Sequence, residues 1–345
     1  MMPVHEDFPV PADRHPARGF AAGISCRRLF SIDRGRLGRG RQARMRAIAF
    51  YEFGEPEVLR VVDVPVPEPT GAQVRIAVRA AGVNPADWKI RSGALVFGEP
   101  TFPQFPGAEV AGVVDAVGPE AAGVAVGDEV IAWTRGGYAE YALSAEVAAK
   151  PAGLAWADAA ALPVAVSTAA KVLDLLRPRA GETLLVNGAS GAVGSMAVQL
   201  ARAEGATVIG TAAPANQDLV RALGATPTPY GDGLVERVRA LAPGGVDAVF
   251  DAAGHGVLPA AIDLRGGTDR IVTIADGAAA DFGIAFPTGP GPRSAALLGD
   301  VAQRLARGEF RLAGAARVFP LTEAAAAQRE MEHGRGPGKV VLIVE

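Results

Sequence analysis

Cysteine is nearly absent from this sequence, which contains only Cys26 among its 345 residues. A single cysteine excludes a disulfide within the chain and is typical of a reducing compartment, so we expect a cytoplasmic protein. Histidine is also scarce, and only His255 and His333 lie beyond residue 44. One follows a predicted strand and the other precedes the last one. We therefore predict no metal site, because zinc needs three or four clustered ligands.

Long apolar runs are missing as well, although hydrophobic residues make up 49% of the chain. The richest stretch, 157–173, is interrupted by Asp158, Pro163, Ser167 and Thr168. No uninterrupted run reaches membrane-spanning length, so we predict no membrane partner.

Positive charge is concentrated at one end, where the first 44 residues carry nine arginines and four acids. Subtracting their net charge of +5 from the total of −3 leaves −8 for the rest of the chain. An acidic body argues against a nucleic-acid surface. We interpret residues 1–44 as a disordered extension, or as the product of a start assigned too early, with Met45 as the true start.

A glycine-rich turn is the clearest chemical signal. Gly188, Gly191 and Gly194 stand between a strand pattern at 183–186 and a helical pattern, and a second strand pattern comes at 206–211. The free N–H groups and the dipole at a helix start attract a phosphate, and only small residues let it approach the backbone. This spacing predicts a dinucleotide site.

The surrounding patterns indicate two kinds of domain. Strand patterns at 246–254 and 269–276 alternate with helical ones, which predicts a parallel doubly wound sheet. Earlier, short alternating segments between 72 and 145 predict a partly closed antiparallel β domain. The last segment, 338–345, reads as a strand that returns to this front domain.

The order of these motifs resembles the medium-chain dehydrogenase/reductase superfamily, and within it the zinc-free, zeta-crystallin-like quinone oxidoreductases. The resemblance spans residues 45–345. It implies an α/β protein with a GroES-like domain (45–162 and 309–345) enclosing a Rossmann NADP-binding domain (163–308). The motifs that carry the resemblance are GVNPADWKIRSG (82–93), FPGAEVAGVVDAVG (105–118), GVAVGDEVIA (123–132), GGYAEYAL (136–143), ALPVAVSTAAKVL (161–173), NGASGAVG (187–194) and GKVVL (338–342).

The resemblance also implies the absence of catalytic zinc. Asn84 stands where zinc-dependent members have cysteine, and Ala108 stands where they have histidine. Without a Lewis acid to lower the pKa of an alcohol, we expect reduction of an electron-poor acceptor and not alcohol oxidation.

The cofactor is expected to be NADP(H). No acid that would repel a 2′-phosphate comes between the second strand pattern and Asp218. The cofactor-binding residues expected from the turn and from the resemblance are Gly188, Ser190, Gly191, Ala192, Val193, Gly194, Thr211, Asn216, Tyr230, Gly137, Gly338 and Lys339. Lys339 is expected to reach a phosphate or, alternatively, to be a solvated strand end, and Tyr230 is otherwise a loop tyrosine.

The expected catalytic residues are Asn84, Asp87 and Thr168. Asn84 is placed to donate a hydrogen bond to the oxyanion that develops on the acceptor. Each residue has a structural alternative: Asn84 and Asp87 as caps of a turn or helix, and Thr168 bonded to its own helix backbone.

The sequence thus predicts hydride transfer from NADPH to a quinone or similar enone. Two alternatives stay open: an enoyl or 2-alkenal double-bond reductase, and a non-catalytic NADPH-binding sensor or structural protein. The Gly/Pro-rich segment 281–300 is expected to border the acceptor pocket. Because family members are often dimers, we expect a homodimer.

Overall fold

A computed structural model of the chain describes residues 43–333 and 336–345. Residues 1–42, which carry most of the expected extension, lie outside the described residues, as do 334 and 335. The first strand begins at Arg44, and Met45 is already buried within it. This strand, β1 (Arg44–Ala49), pairs antiparallel with β2 (Arg60–Pro65).

The antiparallel sheet of the front domain is built from segments whose apolar residues alternate. In β3 the inward positions Val74, Ile76 and Val78 are buried, while Arg79 is exposed. The sheet contains β3 (Val74–Val83), β4 (Glu109–Val117), β5 (Glu129–Trp133), β6 (Tyr141–Ser144), β7 (Val147–Ala149), β13 (Arg317–Pro320) and β14 (Val340–Ile343). Its order is β13-β14-β3-β4-β5-β7, and β6 also pairs with β3.

The end of the chain completes this front sheet. β14 runs antiparallel to β3, with Val340 opposite Val83, and parallel to β13. Chain segments from the two ends of the sequence therefore form one sheet, which brings Lys339 beside the end of β3.

The second sheet is parallel, as the alternating pattern predicted. Its strands are β8 (Thr183–Asn187), β9 (Thr207–Thr211), β10 (Thr226–Thr228), β11 (Ala248–Asp251) and β12 (Ile271–Thr273). The strand order is β10-β9-β8-β11-β12. From β8 the chain adds strands toward one edge of the sheet, and from β11 toward the other, so the switch point lies between β8 and β11. In such sheets ligands bind beyond the carboxyl ends of the strands at this switch point, where the glycine turn lies. The expected fold class, a GroES-like antiparallel domain with a Rossmann sheet, is confirmed.

Helices cover the sheets and connect them. They are α1 (Pro85–Arg91), α2 (Trp156–Ala160), α3 (Pro163–Leu176), α4 (Ala192–Ala203), α5 (Gln217–Ala222), α6 (Leu234–Leu241), α7 (Leu258–Arg265), α8 (Ala295–Ala306) and α9 (Ala324–His333). One hydrophobic cluster holds residues of both sheets, with Val166, Val172 and Leu176 of α3 beside Ile131 of β5 and Leu184 of β8. The linking helix α3 is therefore a shared core element.

The segment Trp156–Leu176 is long and apolar enough to cross a membrane, with a mean hydropathy of 1.6. However, 67% of this window is buried inside the protein. Burial between two sheets accounts for its apolar character, because such a core helix is hydrophobic on most sides.

Candidate active site

The glycine turn has the geometry that a bound pyrophosphate requires. Gly188 has a φ of +82°, and a Cβ there would lie 2.8 Å from the Cβ of Ala253. A Cβ on Gly194 would lie 2.2 Å from the carbonyl oxygen of Gly188, so α4 packs directly on the turn. A Cβ on Gly191 would meet only that same oxygen, at 3.4 Å. The three glycines thus serve the turn, the helix packing and an open approach to the backbone.

Ser190, Ala192 and Val193 complete this turn. Gly191 precedes α4, and Ala192 and Val193 are its first two residues. The first N–H groups of a helix have no partner within the helix and carry partial positive charge, so these residues offer donors to an anion.

Four buried polar side chains hold the turn from below, and we call them the strand-end network: Asn187, Thr211, Asp251 and Thr273. Each is the last residue of its strand. The Asp251 carboxylate accepts hydrogen bonds from Asn187 Nδ2 (2.8 Å) and from the Thr273 hydroxyl (2.7 Å). It also accepts the N–H groups of Ala253 and Gly254.

Thr211 belongs to this network and does not face the open side of the turn. Its hydroxyl is fully buried, donates to Asn187 Oδ1 at 2.6 Å and accepts the Gly188 N–H at 3.0 Å. The structure therefore places this expected cofactor ligand behind the glycine turn, where its hydroxyl supports the backbone.

The other expected cofactor residues occupy three places. Asn216 ends a short 3-10 turn after β9 and is half-buried, whereas Tyr230, beyond β10, is 59% exposed. Both come after strands of the parallel sheet at its carboxyl edge. Gly137 is buried in the front domain, where its N–H donates to the carbonyl of Gly107. Gly338 directly precedes Lys339.

Lys339 lies in a second polar group, which we call the front cluster: Asn84, Asp87, Glu109, Tyr138 and Lys339. All five side chains are buried. Lys339 Nζ donates to Asn84 Oδ1 at 2.6 Å and forms an ion pair with Glu109 Oε1 at 2.7 Å. A solvated strand end does not describe this position, because the side chain is buried and its ammonium group is paired with Glu109 inside the protein.

The Asn84 side chain is oriented by charge on both sides. Its carbonyl oxygen faces the ammonium group of Lys339, and its amide nitrogen donates to Glu109 Oε1 at 2.8 Å. Asn84 is also the N-cap residue of α1, where it forms a capping box with Asp87, as the structural alternative for both residues predicted. Its backbone N–H donates to Asp87 Oδ2 at 2.8 Å.

Asp87 is a buried acid with two hydrogen-bond donors on one oxygen. Oδ2 accepts the Asn84 N–H and, at 2.8 Å, the Tyr138 hydroxyl. Burial nevertheless raises the pKa of Asp87 to about 6, and the charge of Glu109 adds to the rise. Burial and the neighbouring Asp87 also raise the pKa of Tyr138 well above its usual range.

Glu109, which was not among the expected site residues, connects the elements of the site. Its carboxylate is fully buried, and Oε2 accepts the N–H of Val164 at the start of α3. Gly82 of β3 makes room for it, because a Cβ there would lie 2.2 Å from Glu109 Oε1. The signal in the sequence was an acid at the start of a strand that the residue pattern predicts to be buried.

Thr168 lies on α3 and is half-buried, one helical turn after Val164, whose N–H donates to Glu109. The 281–300 segment reaches the helix at this point. A Cβ on Gly291 would lie 2.0 Å from the carbonyl oxygen of Ser167, and Lys171 Nζ donates to the carbonyls of Thr288 and Gly289. This segment is therefore fixed to the turn of α3 that carries Thr168.

A small cavity of about 20 Å³ joins the two halves of the site. Ala192 of α4 and Lys339 both line it, together with Leu162, Ala165 and Gly338. The start of α4 and Lys339 thus border one small, largely apolar space.

Two family models match the chain: the alcohol dehydrogenase GroES-like domain over residues 70–163 and the zinc-binding dehydrogenase domain over 192–290. The pig quinone oxidoreductase is 32% identical over 330 residues, which cover 88% of this chain and 99% of that protein. The chain belongs to the quinone oxidoreductase family of medium-chain dehydrogenases/reductases. The expected family is confirmed.

Other relatives match over a shorter span. The mouse quinone oxidoreductase is 46% identical over 177 residues, half of this chain and 53% of that protein. The chain therefore spans about half the length of several curated relatives it matches. A tomato 2-methylene-furan-3-one reductase is 35% identical over 244 residues, which cover 66% of this chain and 62% of that protein.

Solved structures agree with this membership. The quinone oxidoreductase of Coxiella burnetii is 30% identical, with a TM-score of 0.76 over 88% of this chain and all of that one. An NAD-dependent alcohol dehydrogenase is 32% identical, with a TM-score of 0.76 over 87% of this chain and all of that one. A mycobacterial protein solved in complex with NADPH is 27% identical, with a TM-score of 0.74 over the same shares.

Proposed function

We propose that this protein uses NADPH to reduce a quinone or a similar electron-poor carbonyl compound by hydride transfer, without a metal. One observation carries the proposal: Ala192 at the start of α4 and Lys339 of the buried front cluster line the same cavity. A dinucleotide whose pyrophosphate binds at the glycine turn would therefore pass beside the cavity that Lys339 lines.

The residues present fit a nicotinamide dinucleotide. The open approach at Gly191 and the free N–H groups of α4 suit a pyrophosphate. When bound, this cofactor supplies the hydride, and the protein supplies binding, orientation and a dry polar environment.

The segment after β9 favours NADPH over NADH. No acid lies between Thr211 and Asp218, and Asp218 is exposed and paired with Arg221. An acid close to β9 would hold a ribose 2′-hydroxyl and repel a 2′-phosphate. Asn216 and Tyr230 lie at the same edge of the sheet and can contact this end of the cofactor. The NADPH complex of a neighbour supports this preference, and an NAD-dependent neighbour makes the comparison with NADH a necessary control.

The donor set does not fit a catalytic zinc ion. Asn84 and Ala108 are not the ligands that zinc prefers, and Glu109 is committed to Lys339. Within residues 43–333 and 336–345, no group of three or more His, Cys, Asp or Glu side chains is arranged to hold a metal. We therefore expect an acceptor whose reduction needs no Lewis acid, such as a quinone, whose reduced anion is delocalised.

Asn84 is the residue that we propose to assist the acceptor. One hydrogen of its amide group is donated to Glu109, and the second can be donated to an oxygen that becomes negative. The fixed orientation of the amide means that this donor needs no rearrangement during the reaction.

The first test is NADPH consumption by the full-length protein with a naphthoquinone, a 2-alkenal and an enoyl thioester, each repeated with NADH. Fast turnover with the quinone supports the proposal. Preference for the alkenal would make the protein a double-bond reductase, as the tomato relative suggests. Tight NADPH binding with no turnover would indicate a sensor or structural protein.

For the enoyl thioester, the position of Arg293 leads to a separate expectation. Arg293, a cation of the 281–300 segment, forms an ion pair with Glu146 at 3.0 Å. A carrier phosphate would have to compete with Glu146 for Arg293, and we expect the thioester to be the poorest acceptor.

A further inference from the structure

Lys339 is a buried cation with a hydrogen-bond donor to spare. Its side chain is 7% exposed, and its ammonium group contacts Asn84 Oδ1 and Glu109 Oε1. An ammonium group has three N–H donors. Across the described part of the chain, these two contacts leave the third donor without a protein acceptor, and Lys339 lines the cavity that Ala192 also lines.

The surroundings of Lys339 argue against a phosphate as its partner. Glu109 is fully buried, and if the ammonium group moved toward a phosphate, this carboxylate would lose the cation that neutralises it. Removing one partner of a buried ion pair is strongly destabilising. Glu109 and the nearby Asp87 also repel an anion. The phosphates have their own donors on the glycine turn.

A neutral carbonyl acceptor meets none of these objections. It takes a hydrogen bond from the third N–H without separating Lys339 from Glu109. As charge develops on its oxygen, the fixed ammonium group stabilises that charge inside a largely apolar cavity, where a preorganised donor is most effective.

We propose that Lys339 is a catalytic residue, whose ammonium group donates a hydrogen bond and then a proton to the acceptor oxygen during hydride transfer. This inference rests on the proposed function. The acceptor carbon gains the hydride and its electron pair from the reduced nicotinamide, while the acceptor oxygen forms an O–H bond as one N–H bond of Lys339 breaks. The neutral amine then regains a proton from water.

The proposal also defines the class of acceptor. The site contains one cation and, when Asp87 is ionised, two carboxylates, so an acceptor with a carboxylate beside the reacting carbonyl is disfavoured. Uncharged quinones and enones are preferred. A quinone with a ring carboxylate should react at least ten times more slowly than its methyl ester at equal concentration.

The variants are chosen so that the fold survives. Lys339→Arg keeps the charge and the ion pair, but its guanidinium group does not release a proton. The double variant Glu109→Gln/Lys339→Met removes both charges together and leaves no unpaired buried carboxylate. Lys150→Met is the control, because Lys150, directly after β7, is also a lysine with a buried side chain, and its 2.8 Å ion pair with the half-exposed Glu129 lies outside the site.

Two quantities are measured for each full-length variant: the dissociation constant of NADPH, and the single-turnover rate of NADPH oxidation by a naphthoquinone at saturating NADPH. We expect the rate to fall about a hundredfold to a thousandfold in the double variant, as for removal of one oxyanion donor. In Lys339→Arg the single-turnover rate should fall less, and the solvent isotope effect on this rate should disappear. NADPH affinity should stay within threefold in both, and Lys150→Met should match the wild type.

Three results would overturn the proposal. NADPH affinity that falls tenfold or more at an unchanged single-turnover rate would make Lys339 a phosphate ligand. Rates within threefold of the wild type in both variants would leave it a structural residue. A wild-type protein that transfers no hydride to any acceptor would refute the proposed function itself, and this inference with it.

Discussion

The strand-end network and the front cluster are both buried and polar, but they are built for different tasks. The strand-end network has one ionisable group, Asp251, whose two oxygens accept four hydrogen bonds. The front cluster has a buried ion pair, an acid with a raised pKa, and donors left over on Asn84 and Lys339. A saturated network fixes a backbone, whereas an unsaturated, charged one has free groups to offer a reactant.

The largest effect is expected at the saturated network. Asp251→Ala removes the acceptor of four hydrogen bonds, and within the described part of the chain Asn187 Nδ2 alone of the four donors retains a second contact, with the Gly254 carbonyl at 3.4 Å. Each of the other three donors costs about 1–3 kcal/mol when left unpaired, so the free energy of unfolding should fall by roughly 4 kcal/mol. Asp251→Asn keeps the oxygen that accepts three of these bonds and should lose much less. Urea unfolding measures both. Equal losses of unfolding free energy in the two variants would show that the three hydrogen bonds to Asp251 Oδ1 do not account for the stability of the network.

The front cluster should make the stability of the protein depend on pH through Asp87. In the unfolded chain Asp87 titrates near 3.8, and in the fold near 6, so the folded state retains this proton over that interval. The contribution of Asp87 to the free energy of unfolding is greatest below pH 3.8. It decreases as the pH rises to about 6 and is constant above that pH. Relative to Asp87→Asn, the wild type should lose about 2 kcal/mol of unfolding free energy between pH 4 and 7.

Asp87→Asn is a fair reference because both donors use Oδ2, and an amide oxygen in that position accepts the same two bonds. Parallel stability curves for the two proteins between pH 4 and 7 would mean that Asp87 is not desolvated as the structure indicates.

Asn84 should separate chemistry from binding. Asn84→Ala removes the donor proposed for the acceptor oxygen, and we expect turnover to fall about a hundredfold while NADPH affinity changes little. Steady-state rates and a fluorescence titration with NADPH give the two values. An unchanged rate would remove Asn84 from the mechanism.

Two glycines of the turn are expected to differ, and the smaller effect is at Gly191. Gly194→Ala places a Cβ 2.2 Å from a backbone oxygen, so both stability and NADPH affinity should fall. The protein has room for the added methyl group of Gly191→Ala, so stability should change little. The affinity for NADPH should fall about tenfold, or 1.4 kcal/mol. Equal NADPH affinity for Gly191→Ala and the wild type would place the pyrophosphate elsewhere.

Sequence patterns predicted much of this molecule because their causes are local. Alternation in β3 and the glycines of the turn are determined by neighbours within a few residues, and both occur where expected. The antiparallel and parallel sheets were predicted from the same patterns. The position of Lys339 was not, because its partners Asn84 and Glu109 lie 255 and 230 positions away and are brought together only by the pairing of β14 with β3.

The role of Thr211 was missed for a related reason. A hydroxyl at the end of a strand can face a ligand or the protein interior, and the residue type is the same in both cases. The Asn187 side chain of the adjacent strand holds it inside, because it accepts the hydroxyl proton at 2.6 Å.

By itself, the sequence determined the class of fold, the glycine turn and the lack of zinc-type ligands at positions 84 and 108. These depend on residue type and short spacing. Only the tertiary structure decided that Lys339 meets Glu109 and that the strand ends share Asp251. Burial makes those pairings strong and specific, and burial is a property of the assembled sheets that no local stretch of sequence contains.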